Sequence, residues 1–143
     1  MARSGSCLCG AVSYKVTSEI ENTGACHCSM CRKWSGGVFF GVKVPRDGVK
    51  ITGKDRLAIY TSSPWAERAF CATCGSNIYY RVTAEGPMKG EYHIGLGTLD
   101  DVDGIVFDGE LFIDLKPDAY VFAGEGRTQL TEAQVMALFA GDS

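Results

Sequence analysis

Two short stretches far apart in the chain carry the same punctuation: CLCG at 7–10 and CATCG at 71–75. Each sets two cysteines two or three positions apart and follows the second with glycine. Thiolates at that spacing chelate a single tetrahedral ion, zinc above all. The glycine permits a left-handed turn in which backbone N–H groups point at the sulfurs. If Cys7, Cys9, Cys71 and Cys74 share one zinc, residues near 8 are tied to residues near 72, across about half the chain. Four thiolates close the coordination shell, which is the pattern of a structural site. The alternative is four buried cysteines without metal.

The other three of the seven cysteines fall in CHCSMC, residues 26–31. Cys26, Cys28 and Cys31 supply three ligands and leave a fourth position free, the pattern of a reactive zinc. Three thiolates on a dication leave net negative charge. Such a centre is a weak Lewis acid but a good holder for a thiol, which zinc deprotonates at neutral pH. His27 or His93 as a fourth ligand would make the site closed and structural. If residues 26–28 are extended, His27 points to the face opposite its neighbours. His93, mid-strand in EYHIGLG, is under no such constraint. Another metal, or a redox role, is the remaining alternative.

Redox context narrows these readings. The start, MARSGSCLCG, has no apolar stretch suited to secretion, so a cytoplasmic location is the expectation. A disulfide framework is then disfavoured, and seven thiols cannot all pair internally. The 143 residues make one domain, 1–143, with length enough for its own core. No apolar run approaches the ~20 residues of a membrane helix. Net charge is -3 with no basic cluster, which argues against nucleic acid and anionic membrane as partners.

The pattern between the cysteines is mainly β. AVSYKVT alternates with Val12, Tyr14 and Val16 on one face, and GVFFGVKV (37–44) with Val38, Phe40, Val42 and Val44. VKIT (49–52), RLAIY (56–60), NIYYRV (77–82) and EYHIGLG (91–97) continue it. Turn signals at 45–48, 52–53, 62–64 and 85–87 separate them. A capping box at Thr131 and Gln134 starts a C-terminal helix, with Val135, Leu138 and Phe139 at helical spacing and Gly141 as its stop. A short helical turn fits Ser29 to Trp34.

In order, CxCG, CHCxxCR (26–32), FCATCGS (70–76) and GTLDD (97–101) resemble the glutathione-dependent formaldehyde-activating enzyme family over about residues 5–122. The resemblance implies a β-tent of stacked antiparallel sheets with two zinc ions per chain. It assigns Cys7, Cys9, Cys71 and Cys74 to the structural zinc and Cys26, Cys28 and Cys31 to the catalytic one, the same division that spacing suggests. It also implies a carbon–sulfur lyase joining formaldehyde and glutathione to S-(hydroxymethyl)glutathione. Tyr120 stands near a position where relatives often carry tryptophan, so the substrate is left open.

On that reading a small thiol, with glutathione as possible co-substrate, and an aldehyde or other electrophile are the partners. Arg32 would grip a glutathione carboxylate bidentately, or else is a surface arginine. His27 and His93 are candidates to carry the proton. Trp34, Phe39 and Phe40 line a pocket or belong to the core. Asp100 and Asp101 shape a turn. Two other functions stay open: a non-catalytic zinc module that binds a protein, and a zinc enzyme acting on another small electrophile through bound water. Oligomeric state is open too.

Overall fold

Residues 2–140 are described by a computed structural model. In chain order the elements are β1 (Arg3–Ser6), β2 (Ser13–Val16), β3 (Asn22–Cys26), α1 (Ser29–Ser35), β4 (Phe39–Val44) and β5 (Val49–Thr52). There follow β6 (Leu57–Ser63), β7 (Ala66–Cys71), β8 (Asn77–Val82), β9 (Tyr92–Gly95), β10 (Val106–Leu111), β11 (Thr128–Leu130) and α2 (Glu132–Ala140). Strands β1, β2 and β5 pair in that order as a small antiparallel sheet. The other eight form a large sheet in the order β11-β10-β3-β4-β9-β8-β7-β6. Its pairings are antiparallel except where β10 lies parallel to both β3 and β11.

The two sheets are stacked. Val12, Tyr14 and Val16 from the small-sheet side share one buried cluster with Val42, Val44, Ala69, Tyr79 and Ile94 from the large sheet. Cys7 and Cys71 belong to the same cluster, so the core reaches the cysteine-bearing turns. Strand alternation sends the neighbours of these residues to the other side of the large sheet. Register aligns Arg68 with Tyr80, Tyr80 with His93, His93 with Lys43, and Cys26 with Phe39. That outer face carries one row of polar and aromatic side chains, and α1 covers part of it, bringing Trp34 onto Phe39 at 5.6 Å between ring centroids.

Val42 and Val44 face the core as expected, whereas Val38 precedes β4. Phe39 is buried on the outer face, against Trp34. Phe40 packs edge-on to Phe107 at 5.4 Å. The turn expected at 62–64 is shifted: β6 runs on to Ser63, and the Ser63 hydroxyl accepts from the Trp65 N–H at 3.3 Å.

Helix α1 begins at Cys28, whose Sγ accepts from the Cys31 N–H at 3.3 Å, and ends at Gly36 in the left-handed region, φ 72°. The box before α2 forms in both directions: Gln134 Oε1 accepts from the Thr131 N–H at 2.8 Å, and Thr131 Oγ1 from the Gln134 N–H at 3.3 Å. Val135 is buried but Leu138 faces outward. The stop expected at Gly141 lies outside the described residues. Among the described residues no helix is long and apolar enough to cross a membrane.

Candidate metal centres

The turn after β1 and the turn after β7 bring Cys7, Cys9, Cys71 and Cys74 together, with their sulfurs all within 4.8 Å of one another. The Sγ–Sγ distance is 3.7 Å for Cys7–Cys9 and 3.8 Å for Cys9–Cys71. Tetrahedral zinc with Zn–S bonds of about 2.3 Å requires sulfur–sulfur edges of about 3.8 Å. The donor set and its spacing therefore fit zinc. Both glycines take the left-handed turn the pattern requires, Gly10 at φ 82° and Gly75 at φ 81°. Backbone N–H groups then face sulfur, Val12 to Cys7 at 3.3 Å and Cys74 to Cys71 at 3.4 Å. Ser76 joins the two turns: its hydroxyl accepts from the Leu8 N–H at 3.0 Å and lies 3.2 Å from Cys74 Sγ. That hydroxyl, helped by the Ser76 backbone N–H, lowers the Cys74 thiol to about 5.

Cys26, Cys28 and Cys31 form a second cluster, again with sulfurs within 4.8 Å. The last residue of β3, the N-cap of α1 and its first turn supply one thiol each. Cys31 is buried, and the other two are half-buried. Hydrogen bonds from Cys26 and Cys31, aided by the Cys31 N–H and the charge of Arg68, lower Cys28 to about 2. The same arrangement pushes Cys26 far up.

Neither histidine belongs to this cluster. His27 turns to the opposite face, as an extended 26–28 segment demands. It is buried, with Nε2 2.9 Å from Glu110 Oε1 and Nδ1 3.4 Å from the Tyr120 hydroxyl. His93 lies on the outer face, edge-on to Tyr80 at 5.5 Å, with Nε2 3.0 Å from Glu91 Oε1. Arg32 is exposed on α1, next to Cys31. Asp101 shapes a turn, accepting from the Asp103 N–H at 2.9 Å through Oδ1.

The sequence reading missed two buried charges. Arg68 on β7 is 2% exposed and donates to Cys31 Sγ from Nη1 at 3.6 Å and Nη2 at 3.5 Å. Glu110 on β10 is equally buried, and no local pattern announces it. It accepts from Gln129 Nε2 at 2.9 Å and Arg127 Nε at 3.2 Å besides meeting His27.

Burial alone would raise the Glu110 carboxyl, but hydrogen bonds from Gln129, His27 and Arg127 outweigh it and hold it below the usual carboxylate range. A depressed folded-state pKa stabilises the fold above the unfolded pKa, and the benefit disappears as pH falls through the folded one. Glu110→Gln should therefore cost about 3 kcal/mol at neutral pH, the scale of breaking a buried pair. The melting gap to wild type should close on acidification below the usual carboxylate range. A gap that stays constant with pH would remove the ionised network from the account.

A four-thiol and a three-thiol centre on stacked sheets define the class: a β-tent protein with two potential metal–thiolate sites. A family model described as glutathione-dependent formaldehyde-activating enzyme matches residues 2–123. The chain belongs to that family. It is 33% identical over 121 residues to an uncharacterized lyase of Schizosaccharomyces pombe, covering 85% of each. A Podospora anserina protein whose name carries the family description is 38% identical over 88 residues, 59% of this chain and 41% of that one. The chain thus spans less than half of that relative. A crystal structure of a Rhodobacter sphaeroides protein superposes with TM-score 0.58 at 23% identity, covering 90% of this chain and 99% of that one, and shares the fold.

Proposed function

We propose that residues 1–143 form a single zinc-dependent domain that makes and breaks carbon–sulfur bonds in small thiol–aldehyde adducts, as an S-(hydroxymethyl)glutathione synthase would. The observation that carries this reading is the contrast between the two centres. One gathers four thiols, as many as a tetrahedral shell takes; the other gathers three. In the reaction the thiol sulfur bonds to the aldehyde carbon, the C=O π bond breaks, and the thiol proton ends on oxygen. The reverse restores both partners. Zinc at Cys26, Cys28 and Cys31 would supply the open coordination position that favours a bound thiol as thiolate.

The chain's own residues divide the remaining work. Trp34 and Phe39 pack with tilted rings on the outer face beside the triplet and form an apolar wall. Arg32, exposed beside the third cysteine, is the proposed clamp for a glutathione carboxylate. His93 shares the outer face and is partly exposed, which suits a proton carrier. His27 is excluded from that role by its position behind the sheet, engaged with Glu110.

Zinc counted by elemental analysis on protein purified without chelator should give two ions per chain. Mild chelation should bring this to one and abolish turnover of formaldehyde with glutathione, and added zinc should restore both. Two ions that both resist chelation, with no turnover, would leave a closed, non-catalytic zinc module. Turnover of an electrophile without any thiol would point to hydrolysis instead.

A further inference from the structure

Arg68 is a permanent cation in a place where a cation is expensive. It is 2% exposed, and among the described residues no carboxylate pairs with it. Its guanidinium carbon lies 5.1 Å from the Trp34 ring centroid and 5.0 Å from that of Tyr80, a cation–π contact with each ring. Burial pushes the Tyr80 phenol up to about 12, so that ring contributes no compensating charge near neutrality. Nη1 and Nη2 both point at Cys31 Sγ. Nε is buried with no partner, a donor left over beside the triplet. A buried charge that lacks an opposite charge is strongly unfavourable, and the group its donors reach is the sulfur of Cys31, a ligand that would carry negative charge once metal is bound.

Charge counting then gives the guanidinium a purpose. Three thiolates on a dication sum to minus one, and an anion entering the fourth position would make minus two beside cysteines that are buried or half-buried. Arg68 returns one positive charge to that sum. A guanidinium also suits the task better than an ammonium: it is weakly hydrated, stacks between rings, and directs two donors at one atom. We infer that Arg68 is the positioning residue that makes the open place at Cys26, Cys28 and Cys31 select an anionic ligand, a thiolate in particular, over a neutral one. This rests on the metal reading of the triplet.

The test is binding, not turnover. The full chain is loaded with cobalt(II) in place of zinc, and the visible bands of the metal are followed on adding azide, a small anion, or imidazole at a pH where it is neutral. Arg68→Gln removes the charge but keeps donors; Arg68→Met serves in its place should the glutamine variant not fold. Azide affinity should fall roughly 30-fold or more, the scale of losing a nearby unit charge at an effective dielectric of about 20. Imidazole affinity should change little. Arg68→Lys, which keeps the charge, should recover most of the azide affinity. Equal weakening of both ligands would reduce Arg68 to a packing role, and unchanged azide affinity would overturn the inference outright. A Cys28→Ser protein must lose the ligand-induced change. If it keeps that change, or if wild type shows none, the metal reading of the triplet falls first and the role of Arg68 falls with it.

Discussion

Cys74→Ser is expected to leave a chain with no cooperative melt, or one displaced downward by ten degrees or more. Apparent binding free energies of structural zinc run to about 10–16 kcal/mol, as large as the whole stability of an ordinary domain at about 5–15 kcal/mol. Serine is a poor ligand, so losing one thiolate of four forfeits several kcal/mol. Near this chain length each kcal/mol moves the midpoint by about 2–4 °C. The loss would not stay local. Cys7 and Cys71 sit in the same buried cluster as Tyr14, Val42 and Ile94, so the centre joins the small sheet to the large one at their common core. Apart from the sulfurs, the two turns are held by Ser76, which reaches both Leu8 and Cys74. Thermal melting with zinc content measured on the same samples checks this. A soluble Cys74→Ser protein with wild-type melting would break the pairing of the two turns.

The residues that made this centre legible were the glycines. Gly10 and Gly75 each follow a second cysteine, and each adopts the positive φ that turns N–H groups onto sulfur. A turn that only glycine fills comfortably leaves a mark in the sequence, and so does a capping box, which marks the first turn of α2. Alternation marks a strand only when one face is apolar. It therefore revealed β2, β5 and β8 but not β7 or β10, where Arg68 and Glu110 occupy buried positions that the pattern reserves for apolar side chains. Strand β1, Arg-Ser-Gly-Ser, carries no apolar side chain at all. The same two charges escaped the reading of the site. Their partners lie 37 and 83 positions away, at Cys31 and His27, and contacts at that range are settled by register rather than by local pattern.

Cys28→Ser should separate the two centres experimentally. Its sulfur is one of the three that would hold the catalytic zinc in the proposed function, yet its structural duty is slight: it caps α1 by accepting from the Cys31 N–H. Serine is among the best N-caps, so the hydroxyl takes over that hydrogen bond and the helix keeps its start. The variant should melt within a few degrees of wild type, and Cys28→Ala should fall below it by about 1 kcal/mol, the usual worth of a cap. With two thiols left, the second ion should be lost, and zinc should drop to one per chain. Turnover of formaldehyde with glutathione should fall by about 10²–10³-fold or more, as when one preorganised catalytic element is removed. Melting curves, zinc analysis and a thiol-plus-formaldehyde assay on the serine and alanine variants read all three effects. If the serine protein instead precipitates, the triplet holds the fold together as the four-thiol centre does, and the division of labour between the two centres is wrong.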